Sequence, residues 1–267
     1  VAKSFFGSCQ NFDVGSDDMG RQIGKYKKNL DYSYSLGVSP TIELLKHKRQ
    51  YVLKVLISSK GNRNEGVMEI IEVCRTSNIK VQVDDKLMNI LSPKDNCYSI
   101  GIFRKFQTEL SRGKNHLVLV NPGNMGNLGT IIRTMSGFCI DSLGLIKPSV
   151  DIFDPKVIRS SMGSFFQIYF QYFNDISEYI NSFNNNLYTF MTNGKKTLHE
   201  VSFKEPFSII FGNESSGLPD EYLSLGTSVS IPHSESIDSL NLSVSVGIGL
   251  YEISKNIKKI DRETVPK

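Results

Sequence analysis

Residues 121–134 read NPGNMGNLGTIIRT and follow directly on the run HLVLV at 116–120. A short, nearly continuous apolar run of this kind reads as a strand buried on both faces. Gly123, Gly126 and Gly129 recur every three residues, which is not the dinucleotide pattern G-x-G-x-x-G. No Gly-Lys-Ser/Thr follows either, so a nicotinamide or ATP site is disfavoured. On the helix predicted over 127–137, Leu128, Ile131, Ile132 and Met135 fall at i, i+3, i+4 and i+7 and therefore face the sheet. Arg133 falls off that stripe. Helical side chains lean toward the N-terminus, so Arg133 is expected to reach back over the glycine-cleared surface toward the loop.

Outward from this stretch the pattern is a regular alternation. Strands are predicted at 142–146, 166–170, 187–191 and 207–211, and helices at 155–163 and 176–183. Such alternation implies an α/β fold with a mostly parallel sheet, and ligands on such sheets bind at the carboxyl ends of strands. The loops after Val120, Phe211 and Ile231 are therefore the places to look. FGNESSGLPDE at 211–221 sets Gly212 and Gly217 around Asn213 and Glu214, with Pro219 opening a short helix. SIPHSESIDSLNLS at 230–243 brings Ser239 and Asn241 to the start of an apolar stretch, where both residue types suit helix caps. From Leu240 to Leu250 apolar residues alternate with a period of two, the mark of a strand. The intervening Ser243, Ser245, Gly247 and Gly249 are small enough for a helix buried on every side. Periodicity leaves both readings open.

Upstream, residues 1–20 form a polar lead-in and 21–106 a small α/β unit. In that unit Ser39-Pro40 starts a helix, 51–58 and 79–83 are strands, and 67–77 and 86–91 are helices. The polar QTELSRGKN at 107–115 is the linker, and 116–267 is a second domain. Residues 1–115 carry 19 Lys and Arg against 12 Asp and Glu, a net +7, whereas 116–267 carry 12 against 15, a net −3. A basic region joined to a slightly acidic one suggests a polyanion-binding module attached to something with another job. Lys46, Lys48 and Arg49 are its candidate phosphate contacts, with a solvated helix end as the alternative. Cys9, Cys74, Cys97 and Cys139 show no paired spacing, and His233 has no second ligand nearby, so neither a disulfide framework nor a metal is expected. No apolar run approaches the roughly 20 residues of a membrane helix, and the expectation is a cytoplasmic protein with no membrane partner.

The order and strand-end placement of NMGNLGTIIRT, GNESSG, and IPH with SLNLS are together specific. The chain here resembles the SpoU (TrmH) branch of the SPOUT RNA methyltransferases, whose motifs read approximately N-x-G-N-x-G-x-x-x-R-T, G-N-E-x-x-G, and I-P-M followed by S-L-N-x-S. RSSMGSFF at 159–166 is similar to the family's segment between the first two motifs. The likeness spans about 117–252, and more loosely GVSPTIELLKHKRQYVLKVLIS resembles the family's ribosomal-protein-like substrate-binding domain.

That resemblance implies a SPOUT-type parallel sheet with a C-terminal trefoil knot, in which SLNLSVSVGIGLYE is a helix tucked through a loop. It implies S-adenosylmethionine held by backbone groups of Gly212, Ile231 and Leu240, and a homodimer. The implied reaction is methyl transfer to a ribose 2′-hydroxyl of structured RNA, ribosomal RNA ahead of transfer RNA. Asn127, Arg133, Glu214, Ser239 and Asn241 are the implied working residues. The family proposal makes the arginine a general base, yet a guanidinium stays protonated, so gripping phosphate and stabilising alkoxide weigh at least as much. Three departures stand out: Met135 follows R-T in place of a small residue, Ser215 replaces a glycine, and His233 replaces the Met after I-P. A non-catalytic RNA-binding module and an antibiotic-resistance rRNA methyltransferase are the competing readings.

Overall fold

The structure, a computed structural model, describes residues 23–92 and 96–255; the lead-in at 1–20 lies outside them. The chain divides into two compact units. One runs up to Phe106 and takes in Ile152–Phe166, and the other comprises Gln107–Asp151 and the chain from Gln167 onward.

The first unit opens with β1 (Tyr32–Leu36), α1 (Val38–His47), β2 (Val52–Ile57), α2 (Glu65–Thr76), β3 (Val81–Val83), α3 (Asp85–Leu91) and β4 (Ser99–Arg104). The sheet order is β1-β4-β2-β3, with β4 antiparallel to both neighbours and β2 parallel to β3. Successive side chains of a strand face opposite ways. Leu56 accordingly joins Tyr34, Met88 and Ile100 on one face, while Val55 and Ile57 join Leu45, Val67 and Ile70 on the other. β1 and β4 are strands beyond those the periodicity indicates. Ser33 and Ser35 look like solvent positions in YSYSL but are fully buried. Ser33 Oγ donates to the Phe153 carbonyl (2.5 Å), and Ser35 Oγ pairs with Thr41 Oγ1 (3.0 Å).

The second unit holds β5 (His116–Val120), α4 (Met125–Gly137) and β6 (Ser142–Ile146). The chain then passes through α5 (Pro155–Ser160) within the first unit before returning as β7 (Tyr169–Phe173) and α6 (Ile176–Ser182). β8 (Asn186–Phe190), β9 (Lys196–Thr197), β10 (Phe207–Phe211), β11 (Thr227–Ser230) and α7 (Leu242–Ser254) complete it. All seven strands pair in parallel in the order β7-β6-β5-β10-β8-β11-β9. The carboxyl ends of β5, β10, β8 and β11 are thus side by side, and the loops that follow β5, β10 and β11 are neighbours. No helix among the described residues is long and apolar enough to cross a membrane.

Two expectations are corrected. The strand predicted at 166–170 begins three residues later, at Tyr169, after a 3-10 turn over Ser164–Gln167. The apolar pair Phe165 and Phe166 is spent on core packing, with their rings 5.6 and 5.2 Å from those of Phe106 and Phe103. The helix predicted to reach 163 stops at Ser160, because Met162 and Gly163 take left-handed backbone angles (φ 53° and 90°). The ambiguous C-terminal stretch is a helix. Its buried residues Leu242, Val246, Gly249, Leu250 and Ile253 recur at three and four, and Gly249 lies against the rings of Phe190 and Phe211.

Candidate active site

Asn124 caps α4, its Oδ1 accepting from Gly126 N–H (2.8 Å) and Asn127 N–H (3.0 Å). This leaves the N–H groups of Gly123 and Asn124 free to point at the next loop. Both donate to Glu214, Gly123 to Oε2 at 3.0 Å and Asn124 to Oε1 at 3.1 Å. Asn127 Nδ2 donates to the same Oε1 at 3.2 Å. A carboxylate at a helix N-terminus is favoured by the helix dipole as well. Burial would raise the Glu214 pKa, but the donors from Gly123, its own backbone, Asn127 and Asn124 outweigh it and hold the carboxyl below its ordinary value.

Asn213 ties the same two loops from the other side. Its Nδ2 donates to the Asn121 carbonyl at 2.7 Å, while its Oδ1 accepts from Ser215 N–H (2.9 Å) and Ser215 Oγ (2.8 Å). Ser215, the departure from glycine, is thereby part of the turn. The third loop arrives through Asn241, the cap of α7, whose Oδ1 accepts from Ser243 N–H (2.9 Å). Its Nδ2 donates to Asn127 Oδ1 at 3.3 Å. Glu214, Asn127 and Asn241, one from each motif, thus form a continuous hydrogen-bonded chain.

Beside this chain lies a cavity of about 420 Å³, bordered by Gly212, Ile231, Leu240, Phe190 and Phe211 among others. The Phe190 and Phe211 rings stack at 4.3 Å between centroids. Gly212 is buried, and a Cβ there would run into the backbone of Gly217 and Leu218, so the strand end closes only with glycine. The charged side chains on the cavity lining are Glu214, Asp220 and Asp238, with no lysine or arginine. Among the described residues no cluster of three or more His, Cys, Asp or Glu is arranged to hold a metal.

The remaining candidates are placed differently. Arg133 is exposed on α4, makes no hydrogen bond or ion pair with any described residue, and does not line the cavity. Ser239 lines the cavity, exposed, without a bond to Arg133 or Asn127. Met135 is fully buried. In the first unit Lys46 Nζ lies 3.9 Å from both Glu43 and Glu69, Lys48 Nζ sits 5.3 Å over the Phe106 ring, and Arg49 Nε donates to the Leu45 carbonyl at 3.1 Å. Asn124 carries much of the loop architecture without having been singled out, because the helix predicted from 127 begins two residues earlier, at Met125, and makes Asn124 its cap; Asn213, named between Gly212 and Gly217, ties the loops without having been given that role.

A parallel α/β sheet whose strand-end loops converge on one small-molecule-sized cavity defines the class of protein. The chain belongs to the SpoU rRNA Methylase family, which matches residues 114–251, just over half of its length. An uncharacterized tRNA/rRNA methyltransferase of Synechocystis is 36% identical over 140 residues, covering 51% of this chain and 51% of that protein, so the chain aligns with about half of that relative's length. The 23S rRNA (adenosine(1067)-2′-O)-methyltransferase of Streptomyces azureus is 27% identical over 202 residues, covering 71% of this chain and 75% of that one. The fold matches the AdoMet-bound rRNA methyltransferase of Sinorhizobium meliloti with a TM-score of 0.72 at 23% identity, over 86% of this chain and 89% of that one.

Proposed function

We propose that this chain transfers the methyl group of S-adenosylmethionine to a ribose 2′-hydroxyl of structured RNA in the cytoplasm. The observation that carries this is the cavity itself. Its rim of three carboxylates without a lysine or arginine suits a ligand bearing a sulfonium and an ammonium and opposes a polyphosphate. Its stacked rings and apolar walls suit an adenosyl group, and its volume lies in the range of small-molecule sites. Gly212, Ile231 and Leu240 hold the donor through backbone groups. When bound, S-adenosylmethionine supplies an electrophilic methyl carbon.

The residues around it align the reaction and manage charge. Glu214 and Asn127 keep the three loops in register, so that the hydroxyl can approach in line. Arg133, uncommitted among the described residues, grips the phosphate beside the target ribose and stabilises negative charge as the hydroxyl proton leaves to solvent water. Ser239 and Asn241 position the hydroxyl. Residues 21–106 form the RNA-binding domain, with Lys46, Lys48 and Arg49 meeting phosphates; 107–115 is the linker and 116–267 the methyltransferase domain. α7 is the helix of a trefoil knot, a reading supported by its small residues against α4, Phe190 and Phe211. Its other side leaves Val244 and Tyr251 49% and 57% exposed, an apolar face suited to a second copy in a homodimer.

Ribosomal RNA is the preferred substrate. The alignment with the Streptomyces azureus enzyme is longer than the family match and extends into the preceding unit, where substrate would be chosen. Ribose-methylation mapping of RNA from a strain lacking the protein tests this. Loss of one rRNA 2′-O-methyl group is expected; loss confined to a tRNA would replace the substrate. Failure of the pure protein to bind S-adenosylmethionine would favour the non-catalytic module. Drug resistance of an expressing strain would assign the resistance role.

A further inference from the structure

His233 lies in the loop between β11 and α7, half-buried, and lines the cavity. Its Nδ1 is 2.7 Å from the carbonyl oxygen of Ile231. A carbonyl can only accept, so Nδ1 carries the hydrogen, and in the neutral ring Nε2 is a bare lone pair. No described residue donates to that nitrogen. Several other acceptors of the cavity lining are already engaged: Glu214 receives Gly123, Asn124 and Asn127, Asn213 Oδ1 receives Ser215, and Asp220 Oδ1 receives Asn193 Nδ2 at 3.3 Å. The family pattern has methionine at this position, whose thioether is a poor acceptor. This chain therefore adds to its cavity lining a ring-nitrogen acceptor that the pattern lacks.

We propose that His233 Nε2 accepts a hydrogen bond from the adenosyl part of the methyl donor, which makes His233 a specificity-determining residue of the donor site. The division follows charge. The carboxylates of Asp220 and Asp238 match the cationic amino-acid end, whereas the Nε2 lone pair beside a backbone carbonyl matches the neutral amino and hydroxyl donors of adenosine. This rests on reading the cavity as the donor site.

Calorimetric titration of the whole protein with S-adenosylhomocysteine tests it. In His233→Asn the amide nitrogen replaces Nδ1 and can keep the bond to Ile231, but nothing replaces Nε2. In His233→Gln the amide reaches the Nε2 position. His233→Asn is expected to bind about tenfold more weakly, and His233→Gln within about threefold of the unaltered protein. Both should unfold, ligand-free, at the temperature of the unaltered protein. Full affinity in His233→Asn would overturn the proposal, as would weak binding by His233→Gln alone, which would make His233 a brace for Ile231. If the unaltered protein itself fails to bind, the reading of the cavity falls with it.

Discussion

Asn241 donates its side-chain amide to Asn127 Oδ1 at 3.3 Å, joining positions 114 residues apart in the chain. Asn127 passes the connection on, its own amide donating to Glu214. The bond requires the loops after β5 and β11 to meet, and the central position of β10 and β8 in the sheet brings them together. Three weak motifs become one site because of strand order.

Glu214 is the keystone of that chain, with two backbone N–H groups and Asn127 aimed at its carboxylate. Glu214→Gln turns an acceptor oxygen into an amide donor facing donors. A loss of about 1 kcal/mol in urea unfolding and at least about tenfold weaker donor binding are expected. The folded-state pKa is depressed, so its stabilisation is complete above the ordinary carboxylate range and is lost as pH falls through the lower, folded value. Donor affinity of the unaltered protein should therefore persist to lower pH than an ordinary carboxylate would allow, which pH-dependent titration reads.

Arg133 owes nothing to the fold, being exposed and unpaired among the described residues. Arg133→Ala should leave the unfolding temperature and the affinity for S-adenosylmethionine unchanged while single-turnover methylation falls by about 10²-fold or more. Arg133→Lys keeps charge without the bidentate fork and should recover only part of the rate. Retained turnover in the alanine variant would remove Arg133 from the reaction.

Among the described residues, Lys46, Lys48 and Arg49 are secured only by 3.9 Å ion pairs, one ring contact and one backbone bond, all near the surface. Surface ion pairs contribute little to stability, so reversing these charges should spare the fold. RNA affinity should drop and the slope of log K against log salt should flatten by about 0.7–0.9 for each phosphate no longer neutralised. An unchanged slope would return the three residues to being a solvated helix end.

How much of this was legible in the sequence depended on whether a feature was local. The stripe Leu128, Ile131, Ile132 and Met135 is fully buried, as its helical spacing requires. The loops after Val120, Phe211 and Ile231 do converge, as a parallel sheet with strand-end ligands leads one to expect. The period-two run at 240–250 could not be resolved, because serines and glycines between apolar residues satisfy a strand's alternation and a closely packed helix equally. β1 was hidden because Ser33 and Ser35 are buried polar residues whose partners, Phe153 and Thr41, are tertiary neighbours. The reach of Arg133 toward the loop, argued from side-chain direction, produces no bond there. Side-chain direction sets where Arg133 can go, and no described acceptor holds it.

His116 is fully buried on β5 with a defined tautomer. Nε2–H donates to the Ser111 carbonyl (3.0 Å), so Nδ1 accepts from the Tyr179 hydroxyl (2.8 Å), which in turn accepts from Ser208 Oγ (2.5 Å). Desolvation lowers the His116 pKa, against smaller opposing effects of the Ser111 carbonyl and the Asp141 charge. The unfolded chain then binds a proton more readily than the folded one, so stability is complete above about pH 6.5 and declines as pH falls toward the lower, folded value. His116→Gln should be less stable at neutral pH but should lose less on acidification from about pH 7.5 to about pH 5.5, as thermal unfolding would show. Equal acid sensitivity in both proteins would exonerate His116.

Gly212 separates cavity shape from cavity chemistry. A Cβ at this position meets backbone atoms of Gly217 and Leu218, which cannot rotate away as a side chain can. Those atoms belong to the turn closed by paired backbone bonds between Asn213 and Gly217, at 3.2 and 3.0 Å. Gly212→Ala must therefore open that turn and move Glu214 off the N-terminus of α4. Overpacking of this kind destabilises by about 1–3 kcal/mol. Donor binding should fall below detection, while the first unit's tryptic-digestion pattern stays unaltered. Gly217→Ala, where φ is 65° but a Cβ would meet open space, should cost only the left-handed backbone strain of about 1–2 kcal/mol and keep measurable binding. The difference between the two variants measures how far donor binding depends on close backbone approach at the end of β10.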